Sequence, residues 1–133
     1  MDPQLLRIAG IVILLVHGLG HGGAMAALAW INARPGGQTG GWRAARSWLV
    51  PGLPAGAATA VACAFWTIAL VGFAGTALAM AGLLVPVDAL RPLALGSAIV
   101  SLVGIMLFLG NWPVFNTAAA IVVNVGVLVA LLR

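Results

Sequence analysis

Apolar residues run along this chain in four long blocks, at Leu5–Asn32, Gly56–Val85, Pro92–Gly110 and Pro113–Leu132, broken only by short polar or glycine- and proline-rich stretches. Each block reaches or exceeds the roughly 20 residues that a helix needs to cross the hydrocarbon of a bilayer. The pattern predicts an all-α polytopic membrane protein, a four-helix up-down bundle forming a single domain over residues 1–133. The second block is longer than a span requires and is expected to tilt or protrude. The first has a charged start, an apolar centre and small residues at Ala24–Ala29, the layout of a signal peptide, and is read here as a retained span. The second connection, Pro86–Arg91, and the third, Gly110-Asn111-Trp112-Pro113, are short, so neighbouring helices should be antiparallel and adjacent.

The first connection, Ala33–Ala55, is the long one. Its opening, Arg34-Pro35-Gly36-Gly37-Gln38-Thr39-Gly40-Gly41, is rich in turn formers. The following Trp42-Arg43-Ala44-Ala45-Arg46-Ser47-Trp48-Leu49 places Trp42, Ala45 and Leu49 on one helical face, which predicts a short helix in the headgroup region, ended by Pro51 and Pro54. Trp30, Trp42, Trp48 and Trp112 all fall on the side of the first and third connections, as an interfacial aromatic belt would.

Composition sharpens this picture. Hydrophobic residues are 63% of the 133 and charged residues 6%, too few to cover the apolar surface in water. The net charge of +4 comes from arginines set against Asp2 and Asp88, with no lysine. The arginines are scattered over segment ends, which suits contact with membrane lipid headgroups and not nucleic acid. Arg7, Arg91 and Arg133 lie on the side of the termini and Arg34, Arg43 and Arg46 on the other. The charge count is therefore even, and the N-terminal amine leads us to expect cytoplasmic termini in a bacterial inner membrane. The single cysteine, Cys63, rules out an internal disulfide and reads as a small apolar packing residue.

The chemistry concentrates at mid-depth. Counting from the tryptophan-bearing side at ~1.5 Å per residue, His17 and His21, Cys63 and Trp66, Ser97 and Ser101, and Asn124 occupy one slab near the bilayer centre. His17 and His21, the only histidines, share a helical face, as do Ser97 and Ser101, and Asn116, Ala120 and Asn124. Gly18-x-x-x-Gly22 beside them permits close helix approach. A His–Ser–Asn layer between helices follows, and ionisable groups at that depth default to a functional-site hypothesis. The layer either only packs helices or lines a pocket of His17, His21, Trp66, Ser97, Ser101 and Asn124. A quinone suits such a pocket best, since imidazole and asparagine can donate to its carbonyls. A soft copper site on His17, His21 and Met25 is an alternative, as is one axial histidine to a haem or a chlorophyll-type pigment. Bis-histidine haem is disfavoured because both imidazoles project from one helix. A closed zinc site lacks ligands, because no span carries a carboxylate.

The stretch Leu6-Arg7-Ile8-Ala9-Gly10-Ile11-Val12-Ile13-Leu14-Leu15-Val16-His17-Gly18-Leu19-Gly20-His21 resembles the first span of DoxX-like membrane proteins. Those are small four-helix proteins with an arginine, a glycine and then a glycine-plus-basic pair at similar separation. The resemblance covers about sixteen residues and the four-span plan; many such proteins carry lysine where His21 stands, and their first connection differs in composition. It implies an association with quinone-linked sulfur oxidation or membrane redox-stress complexes, with Arg7, His17, Gly18 and His21 as the positions carried over. The expectation is a small membrane subunit or accessory of a redox complex, not an enzyme by itself, working with other membrane subunits or as a homo-oligomer. The alternative is a non-catalytic scaffold subunit of a larger respiratory or photosynthetic assembly. A transporter is disfavoured by the absence of membrane-embedded charge and of an inverted repeat.

Overall fold

A computed structural model describes residues 2–34, 36 and 38–132. Among the described residues, four helices are long and apolar enough to cross a membrane: α1 Pro3–Asn32, α2 Ala55–Ala81, α3 Leu90–Leu107 and α4 Val114–Leu132. The protein is an all-α, multi-pass membrane protein. Its outward-facing side chains, among them Leu6, Val16, Leu19, Ile68, Val71 and Ile99, are exposed and apolar, as a lipid-facing surface requires.

Local chemistry sets the helix ends. The Asp2 carboxylate accepts from the Gln4 amide at 2.8 Å and Pro3 occupies the first turn, a capped start for α1. Gly82, with φ +72°, closes α2: its own N–H bonds Ala79 O and the next N–H, of Leu83, bonds Leu78 O at 2.9 Å. The second helix therefore stops short of Val85, the limit that hydrophobicity alone suggests. Leu84, at φ +57° and 95% exposed, belongs to the turn that follows. A single 3₁₀ turn at Val87–Ala89 leads into α3, which carries Pro92 in its first turn.

The interfacial helix expected over Trp42–Leu49 is not formed. Gln38–Thr39 (β1) and Trp42–Arg43 (β2) pair as a minimal antiparallel hairpin around Gly40-Gly41, both at positive φ. The rest of that segment is irregular and held by the third connection. The Arg43 amide donates to Asn111 O at 2.9 Å, and Asn111 Nδ2 donates to Arg46 O at 2.8 Å. A buried asparagine thus fastens two loops together and leaves few local bonds for a helix to use.

Consecutive helices pack side by side, whereas α1 and α4 meet only sparsely, leaving a seam between the first and last spans. Close approaches are made at small residues. A Cβ on Gly18 would lie 3.3 Å from Leu70 O and from Phe73 Cβ of α2, and one on Gly104 would lie 3.0 Å from Phe65 Cβ. Gly72 is tighter still, its missing Cβ being the space that Ser97 of α3 fills. Arg7 Nε donates to Met80 O at 2.8 Å, putting a cation at the C-terminal end of α2, where the helix dipole favours it.

Candidate functional site

The polar layer is a circuit of three hydrogen bonds across three helices, beginning and ending on α1. His17 Nε2 and Asn124 Oδ1 are 3.2 Å apart, Asn124 Nδ2 donates to Ser101 Oγ at 2.8 Å, and Ser101 Oγ lies 3.1 Å from His21 Nε2. His17 and His21 lie one turn apart on α1, with ring centroids separated by 4.9 Å. Phe73 of α2 backs both rings, edge-on to His17 at 4.7 Å and stacked on His21 at 6.1 Å. Asn124 is fully buried and Ser101 nearly so, so every bond of the circuit replaces water that the bilayer cannot supply.

In front of the histidines, in the seam between α1 and α4, lies a cavity of 550 Å³. His17, His21 and Trp66 form its floor, and Gly20, Ala24, Ala120 and Val123 line its sides. Its lining residues Val12, Ile13, Val16 and Phe115 are exposed, so it opens onto the apolar outer surface of the helices. The cavity runs toward the connections, where Trp42, Trp112, Asn116 and Thr117 line it. Trp66 and Trp112 pack with centroids 4.7 Å apart, and Phe108 completes this aromatic end. Two tryptophans of the expected belt, Trp42 and Trp112, thus turn inward. Trp30 and Trp48 remain exposed, Trp30 under the Arg34 guanidinium at 3.7 Å and Trp48 donating to Met106 O. Among buried side-chain nitrogen and oxygen atoms of the described residues, Trp112 Nε1 alone lacks a partner.

The structure sorts the residues that spacing had grouped. His17, His21 and Trp66 line the cavity, whereas Ser101 and Asn124 stand behind the imidazoles and reach the cavity only through them. Ser97 joins neither: its hydroxyl donates to Leu93 O of its own helix at 2.6 Å, and its side chain is seated against Gly72. Met25 is absent from the lining, and its sulfur accepts from Thr67 Oγ1 of α2 at 3.3 Å, away from the histidines it was grouped with. Trp42, Trp112 and Thr117 were not foreseen as lining. Asn116 was signalled by its spacing of eight from Asn124. Cys63 is half-buried and packs against the tryptophan cluster.

Both imidazoles spend Nε2 on the circuit. No hydrogen bond engages either Nδ1 among the described residues, and both histidines line the cavity. Among the described residues no three of His, Cys, Asp and Glu gather closely enough to hold a metal ion. The arrangement can offer hydrogen bonds from two imidazoles to a polar group held in an otherwise apolar, aromatic-ended slot.

No family model matches this chain, and no curated protein and no solved structure matches it.

Proposed function

We propose that this protein is a small integral membrane subunit or accessory of a redox complex, and that the α1–α4 cleft takes a quinone, with its polar ring at the histidines and its tail leaving sideways into lipid. The observation that carries this reading is the pair of imidazoles midway along α1, lining a 550 Å³ cavity that also has exposed apolar residues in its wall. A lipid-soluble molecule with a carbonyl or hydroxyl head enters such a slot without crossing water, and apolar walls with a few convergent polar groups are the usual form of a small-molecule site. Haem and chlorophyll-type pigments fit less well, because the Nε2 atoms are already bonded to Asn124 and Ser101. Copper fits less well because Met25 is turned toward Thr67. The DoxX-like affiliation, the bacterial inner membrane with cytoplasmic termini, and the partnership with other membrane subunits or a second copy belong to the same proposal. The exposed apolar flank of α4, with Val122, Val125 and Val129, is available to lipid or to such a partner.

The test is an absorbance spectrum of protein purified in mild detergent, followed by solvent extraction. Quinone absorption without a Soret or chlorophyll band, at about one molecule per chain and lost in the His17→Leu/His21→Leu double variant, is the expected result. Protein without extractable quinone that also fails to bind added short-chain quinone would overturn it.

One observation favours a second reading. Asn124 is the only buried residue of α4, so the circuit also ties that helix to the bundle. On that reading the chain is a non-catalytic scaffold and the polar layer serves packing alone. The double variant would then bind quinone no differently from wild type and would change only in melting temperature.

A further inference from the structure

The hydrogen-bond circuit has a direction, and the direction selects a ligand. Asn124 Nδ2 donates to Ser101, so the Asn124 atom facing His17 is the carbonyl oxygen, which only accepts. His17 Nε2 must therefore carry a proton, and a neutral ring then leaves Nδ1 bare. Ser101 Oγ already accepts from Asn124, and its only other partner among the described residues is His21 Nε2. The buried hydroxyl hydrogen is satisfied only by donation to that nitrogen. His21 Nε2 is then the acceptor, and the proton of a neutral His21 ring sits on Nδ1. Donation thus runs from His17 through Asn124 and Ser101 to His21. The cavity floor is left with one acceptor, His17 Nδ1, and one donor, His21 Nδ1–H.

Both rings line the same cavity, with centroids 4.9 Å apart and planes at 72°. A carbonyl oxygen could use only the donor. A hydroxyl uses both, accepting from His21 and donating to His17. We infer that the cleft selects the hydroxyl-bearing, reduced form of its ligand, a hydroquinone bridging His17 and His21 through a single phenolic oxygen. This inference rests on the cleft being a quinone-class site, and it adds which redox form is held and by which atoms.

The experiment compares tetramethyl-benzoquinone, its hydroquinone and the dimethyl ether of that hydroquinone, binding anaerobically to the full chain in lipid nanodiscs. The hydroquinone is expected to bind three- to tenfold more tightly than the quinone, the margin of one additional net hydrogen bond, and the ether more weakly than either. His17→Leu, which removes the acceptor, should abolish the preference while retaining quinone binding through His21. Because that variant can also disturb the fold, the wild-type protein supplies an independent readout. With ¹⁵N-labelled histidine, its two rings should give one Nε2–H and one Nδ1–H tautomer in a bilayer. Two rings of the same tautomer, or a quinone bound as tightly as its hydroquinone, would overturn the inference and leave the cleft reading standing. No binding of any of the three would remove both.

Discussion

At the scale of residues, the fold places its few polar groups where each has a use. Asn124 has no exposure and two interhelical partners, so its loss should be felt in both. Asn124→Ala is expected to destabilise the protein by ~1–3 kcal/mol, the sum of two intramembrane hydrogen bonds and the groups they leave unpaired, measured as unfolding in mixed detergent. Asn124→Asp, which keeps the shape but cannot donate to Ser101 when ionised and introduces a buried charge, should be worse. The circuit itself was legible: intervals of four between His17 and His21, and a depth count along each span, brought His17, His21, Ser101 and Asn124 to one level. Ser97 shows where such counting ends. It shares a helical face with Ser101, but a serine can satisfy itself on the carbonyl four residues back, and Ser97 does so on Leu93. Spacing gives the face of a side chain and not its choice of partner.

At the scale of elements, the spans follow from hydrophobic length, and their contacts follow from missing side chains. Gly72→Ala is expected to separate α2 from α3, because the new methyl would fall on the Ser97 side chain. Ser97→Gly in the same chain should restore much of the loss, a coupling that a double-mutant cycle in thermal unfolding would register. Gly96→Ala on the same α3 helix meets nothing within 4 Å and should be neutral or slightly stabilising. The segment after Trp42 misled for a definable reason. Its apolar spacing suits a helix, yet Gly40 and Gly41 turn the chain into a hairpin and Asn111, 65 residues away from Arg46, captures the carbonyl that a helix would have used. Asn111→Ala removes the bond to Arg46 O and should loosen this connection, with faster amide exchange around Arg46 and little change within α1–α4. No local pattern announces a clamp supplied by the other end of the bundle.

At the scale of the whole molecule, the decisive feature is the seam. A four-helix up-down plan says which helices follow one another; it does not say that α1 and α4 stand apart, that Trp42 and Trp112 close one end of the gap, or that the histidines form its floor. Those facts depend on side-chain volumes summed over all four helices. Gly20 allows the seam to be tested without disturbing the bundle, since it lines the cavity and a Cβ there would meet nothing within 4 Å. Gly20→Leu should fill the slot in front of the imidazoles while leaving the circuit behind them intact. The most direct measurement is the affinity of a short-chain quinone for wild type and Gly20→Leu in nanodiscs, with melting temperature recorded alongside. We expect the variant to melt at or above the wild-type temperature, with Ala-for-Gly-type relief in the helix, and to bind at least about tenfold more weakly, as when a ligand's space is occupied. Equal affinity in the two proteins, at equal stability, would contradict the claim that the α1–α4 cleft is where the ligand sits.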